Sequence, residues 1–132
     1  MASEILYEDR WGEIIDRPEG GYTEIRWYDS TEEMTGDQFN EWLTVFAWHV
    51  AEKKRAGVLV DSVQFRMPID RMDLGWRDEN IVPRYNAAGV RKFAFLMPSG
   101  MPFIGKEPAP EGPAQFPTAY FGKRAGAVEW LS

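Results

Sequence analysis

The chain contains no cysteine and a single histidine, His49. The first absence removes disulfides, thiolate metal sites and cysteine nucleophiles together. The second leaves no pair of imidazoles for a zinc site and at most one general base of neutral-pH pKa. Equally missing are a glycine-rich phosphate loop opening a helix, a Gly-x-Ser-x-Gly nucleophile turn and a His-x-x-x-His zinc pattern. No cofactor, metal or catalytic residue is therefore assigned. No apolar run approaches the roughly 20 residues of a membrane span. The first ten residues, with Glu4, Glu8 and Asp9, do not read as a secretion signal, so a cytoplasmic location is expected. Excess positive charge is lacking too: the net charge is −6, and residues 1–41 hold 12 acidic but only three basic side chains. Nucleic-acid binding is disfavoured, because that first third repels a phosphate backbone. Residues 42–132 reverse the balance, with nine acidic and 12 basic side chains.

What is present is a composition for one globular domain: 132 residues, 44% hydrophobic and 14% aromatic. Gly12 to Asp29 reads as a β-hairpin turning at Pro18–Gly21. Its second strand places Thr23, Ile25 and Trp27 on one face and Tyr22, Glu24, Arg26 and Tyr28 on the other, the latter partly solvated. Thr35 and Gln38 form a capping box, and a helix follows from about Gly36 to Arg55. Phe39, Trp42, Leu43, Phe46, Ala47 and Val50 fall within one arc of it, with Lys53, Lys54 and Arg55 in the last turn and Gly57 closing it. Val58–Asp61, Lys92–Met97 and Thr118–Phe121 read as buried strands. Asp70 is the expected N-cap of a second helix reaching Ala88, kinked at Pro83, with Gly89 just past its end. Arg124–Leu131 makes a short closing helix. Pro98–Pro117 holds six of the nine prolines and is expected as a long loop. The alternation predicts a single α/β domain: a mixed, mostly parallel sheet with an N-terminal β-hairpin, flanked by helices.

A series of residues supports a more specific reading. Trp27, Thr31, Met34 and Thr35 precede the long helix; Leu59, Val60 and Asp61 follow it; then come Glu79–Arg84, Ala88–Val90 and Ala127–Leu131. Over nearly the whole chain this resembles the small bacterial SpoIIAA-like proteins described as STAS/SEC14-domain proteins. The resemblance implies either a regulatory module switched by partner binding or a carrier of an apolar ligand. Antagonists of that type are phosphorylated on a serine at the start of the helix after the central strand. Here no serine occupies that helix start, and Ser62 lies too near the strand end to take the role.

The candidate site follows from strand ends, since ligands in open α/β sheets bind beyond the carboxyl ends of strands. Asp61 and Ser62 stand there, with Arg66 nearby in sequence. Met72, Trp76, Met97, Met101 and Phe103 supply an apolar set for a pocket beneath the 98–117 loop. The simpler alternatives are strand-exit capping for the polar group and ordinary core packing for the apolar one. His49, on the flank of the core stripe, is most simply a boundary residue. Val45 and Trp48 project from the long helix opposite its core stripe and are candidate interface residues, tryptophan being enriched at interfaces. The expected function is a non-enzymatic binding or regulatory module acting through protein–protein contact, as a homodimer or with another protein. The alternative is a carrier of a small apolar, lipid-like ligand, and a hydrolase-type enzyme ranks third.

Overall fold

The structure is a computed structural model, which describes residues 3–98 and 104–132, and of 104–107 the backbone alone. Seven strands form one sheet in the order β1-β2-β3-β4-β5-β7-β6. Its antiparallel part is built from β1 (Glu4–Glu8), β2 (Gly12–Arg17) and β3 (Tyr22–Trp27). β3, β4 (Gly57–Asp61), β5 (Lys92–Leu96) and β7 (Pro117–Phe121) run parallel, and β6 (Ile104–Pro110) closes the far edge antiparallel to β7. The α/β class, the mixed sheet and the N-terminal hairpin are those expected from the pattern.

Helix α1 (Gly36–Lys53) begins at the capping box. Gln38 N–H donates to Thr35 Oγ1 at 3.2 Å, and Thr35 N–H donates to Gln38 Oε1 at 2.9 Å. All six residues of the expected stripe are buried. Its end differs from expectation: Lys54, at φ 56°, takes the left-handed capping position, while Gly57 already opens β4. Arg55 is thereby released from the helix and grips Asp16 with two hydrogen bonds of 2.9 Å.

The second helical region is two helices, α2 (Leu74–Asn80) and α3 (Val82–Ala88), rather than one kinked rod. Pro83 cannot donate to the helix and its ring would collide with the preceding turn. It is accommodated in the first turn of a new helix instead. The N-cap is Asp73, whose carboxylate accepts from Trp76 N–H at 2.9 Å, not Asp70, which lies in a separate 3-10 turn. Gly89 ends α3 at φ 85°, where a Cβ would be strained.

Two cores result. One face of the sheet packs on α1 and α3 around Phe46, Tyr85 and Phe93. The other packs on α4 (Arg124–Leu131) around Leu59, Ala94, Ala119 and Ala127. The face expected to be partly solvated is so at Arg26 and Tyr28, but Tyr22 and Glu24 are buried, Glu24 completely. Strand β6 sits inside the segment expected as a loop. It is an edge strand, where Pro108 and Pro110 need not donate to a ladder.

Candidate functional site

The four parallel strands end at one edge of the sheet, and on the α1 face of that edge lies a pocket of about 350 Å³. Period-two alternation aims Trp27 of β3, Val60 of β4, Phe93 and Phe95 of β5, and Tyr120 of β7 into it. α2 and the segment 111–116 wall it. That segment is held down from several sides. Asn86 of α3 donates to the Pro113 carbonyl at 3.1 Å and accepts from Gln115 N–H at 2.9 Å. The Phe116 ring stacks on Phe93 at 5.8 Å between centroids, as Phe95 does on Tyr120 at 5.2 Å. The Tyr120 hydroxyl donates to the Glu111 carboxylate, at 2.8 and 2.7 Å from its two oxygens. Gly112 turns the chain at φ 56°, with the Asp78 carboxylate 3.3 Å from where a Cβ would stand.

The lining is aromatic with a short polar rim of Ser62, Arg77, Asp78, Glu111 and Thr118. Burial pushes the Tyr85 phenol up to about 12, a rise opposed by the Arg77 charge. The Tyr120 phenol is raised by burial and by its hydrogen bond to Glu111, again opposed by Arg77. Both phenols stay neutral across the physiological range and offer the pocket weakly polar edges rather than charge. The chemistry on offer is shape, aromatic surface and a rim in which one guanidinium stands with two carboxylates and two hydroxyls.

The sequence-chosen residues divide. Ser62 and Met72 line the pocket. Asp61 does not: its side chain lies on the opposite face, accepting from Arg124 Nη2 at 2.8 Å, with Arg26 Nε at 3.6 Å. There it joins Glu24, whose carboxylate takes Arg124 at 3.0 and 2.7 Å and Arg17 at 3.0 Å. Asp61 is thus bound up in a charge cluster that fastens α4 to the sheet. Arg66 flanks a shallow acidic depression with Asp29, Glu32 and Glu33, its backbone N–H donating to Thr31 Oγ1 at 2.9 Å. Trp76 packs at the margin of the larger core and Met97 is half-buried just past β5; neither lines the pocket. Met101 and Phe103 lie outside the described residues. Phe95, Tyr120 and Glu111 were not singled out by sequence, whereas Arg77 belongs to the charged residues expected near the end of the 58–61 strand and does line the pocket. For Phe95 and Tyr120 the signal existed in the strand alternation with Phe93 and Thr118; for Glu111 none did.

Of the interface candidates, Trp48 is 58% exposed, whereas Val45 is half-buried against the larger core. The Trp48 ring meets His49 edge-on at 5.0 Å. Burial, aided by Lys53, lowers the His49 pKa, so the imidazole is neutral at pH 7. Among the described residues no group of three or more metal-ligating side chains converges, and no helix is long and apolar enough to cross a membrane. No family model, curated protein or solved structure matches the chain.

Proposed function

We propose that the protein is a binding module that takes a small apolar ligand into the pocket at the carboxyl ends of β3, β4, β5 and β7. The observation that carries this is a space of about 350 Å³ walled by aromatic rings, within the range of ligand sites and far above ordinary packing defects. Its position at the strand ends is where open α/β sheets hold ligands. Of the 98–117 segment, the described residues that line it are Glu111, Gly112, Ala114 and Phe116. Membership of the SpoIIAA-like STAS/SEC14 group and a cytoplasmic location are part of the same proposal, resting on the sequence resemblance. An apolar fluorescent probe should bind the purified protein and be displaced from a Phe95→Trp variant, which fills the space. Absence of probe binding to the native chain would sink the reading.

A second role, contact with another protein or a second copy of the chain, is favoured by Trp48, which is 58% exposed on a helix already supplied with a buried stripe. Single exposed apolar residues are common, so the test is direct. Trp48→Glu should shift the sedimentation profile toward monomer, and an unchanged profile rejects the interface.

A further inference from the structure

The arginines of this protein differ in what they do with their charge. Arg17, Arg55 and Arg124 each donate to carboxylates at 2.7–3.0 Å. Arg77, in α2, does not. Its side chain is 24% exposed, its nearest carboxylate oxygen, Asp78 Oδ1, stands at 4.0 Å, and among the described residues its guanidinium donates no hydrogen bond. The guanidinium carbon lies 5.7 Å from the Phe93 ring centre, at the pocket wall. A guanidinium carries five N–H donors in a planar fork suited to a carboxylate. Three-quarters of that side chain, apolar stem included, is covered, yet among the described residues no group accepts a hydrogen bond from the fork and its one carboxylate neighbour stands at the limit of ion-pair range; covered charges are normally hydrogen-bonded as well as paired.

The rest of the rim limits what the partner is. Glu111 already takes the Tyr120 hydroxyl with both oxygens, while Asp78 faces the same space at 44% exposure. Two carboxylates beside one guanidinium repel a multiply charged head but leave room for a single negative charge placed on the fork itself. The volume of about 350 Å³ holds roughly a dozen non-hydrogen atoms at about 30 Å³ each. Phe95 and Tyr120, stacked on each other with 9° between their planes, add aromatic surface to the same space.

We infer that the pocket selects an amphipathic monocarboxylate, its head on the Arg77 guanidinium and its short apolar body against Phe93, Phe95 and Tyr120. This rests on the reading of the pocket as a ligand site. The ligand class is therefore a medium-chain fatty acid or an arylalkanoic acid of similar size, rather than a neutral lipid or a phosphorylated one.

Titration calorimetry with decanoate, decan-1-ol and decyl phosphate, all below their micelle thresholds, separates the possibilities. Decanoate should bind about 10- to 100-fold more tightly than decan-1-ol, the range expected for a charge-assisted pair, and more tightly than decyl phosphate. Arg77→Leu should erase the preference for decanoate and leave decan-1-ol within about 3-fold of its native affinity. Arg77→Lys, which keeps charge but not the fork, should retain part of it. Equal binding of decanoate and decan-1-ol to the native protein overturns the inference while the pocket stands as an apolar site. Tighter binding of decyl phosphate overturns the single-charge head. Binding of none of the three removes the pocket reading itself. The comparison within the native protein decides the matter even where Arg77→Leu fails to fold.

Discussion

Arg124→Met tests whether the charge cluster on the α4 face holds the fold together. Arg124 opens α4 and donates to both oxygens of Glu24, at 3.0 and 2.7 Å, and to Asp61 at 2.8 Å. The Glu24 side chain is fully buried. Each hydrogen bond to a charged partner nets about 1.5–3 kcal/mol, and breaking a buried ion pair costs about 3–5 kcal/mol. Two features lower the figure here. Arg124 is 35% exposed, so solvent screens part of its charge, and Glu24 keeps Arg17 at 3.0 Å after the substitution. Methionine also preserves most of the apolar stem. The expected loss is about 2–3 kcal/mol, a fall in Tm of about 7–11 °C for a chain of this length. Urea denaturation followed by circular dichroism measures it. Adding Glu24→Leu should return at least about 1 kcal/mol relative to the sum of the two single changes, because the buried carboxylate that has lost its bidentate partner is gone. Probe binding should not move, since the cluster lies across the sheet from the pocket. A stability within about 0.5 kcal/mol of the native chain would refute the argument.

Two further outcomes concern pH. Its bidentate hydrogen bonds with Arg55 hold the Asp16 carboxyl below the usual carboxylate range. The stability this contributes is present above the unfolded value of about 3.9 and lost as pH falls through the lower folded value. Asp16→Asn should therefore cost about 1–2 kcal/mol at neutral pH, with the gap to the native chain closing in acid. An equal gap at pH 7 and pH 3 contradicts the pairing. Burial pushes the Tyr85 phenol up to about 12, so its contribution is intact below an unfolded value of about 10 and lost as pH rises toward 12. In an alkaline denaturation series Tyr85→Phe should lose less stability than the native chain between those values, and parallel curves would contradict it.

The long helix was legible because several levels of the sequence agree about it. Thr35 and Gln38 start it, a 3.6-residue apolar stripe faces the sheet, and both features appear as read. The strands after it were legible as short apolar runs. What failed did so for local reasons. Pro83 admitted two outcomes, a kink or a restart, and the restart comes with α3 packed against both α1 and α2. The prolines of 98–117 signal a loop in any central position, yet an edge strand tolerates them. Strand β1 is exposed along most of its length, so it lacks the burial pattern that reveals a strand, and it exists because β2 offers it an edge.

The site was harder to see than the fold because the residues that make it resemble the core they belong to. Phe93 and Phe95 lie on one face of β5, and nothing in their spacing tells whether a ring meets another side chain or an empty space. That is decided by what arrives from elsewhere: here the 111–116 segment, fastened by Asn86 and stacked through Phe116, stops short of filling the volume over β5 and β7. Asp61 misled for the converse reason. A strand alternates its side chains, so the last residue of β4 and the one after it serve opposite faces. Ser62 reaches the pocket, and Asp61 is committed to Arg124. Strand ends locate a site to within one residue, and for a sheet covered on both faces that one residue decides between binding a ligand and binding a helix.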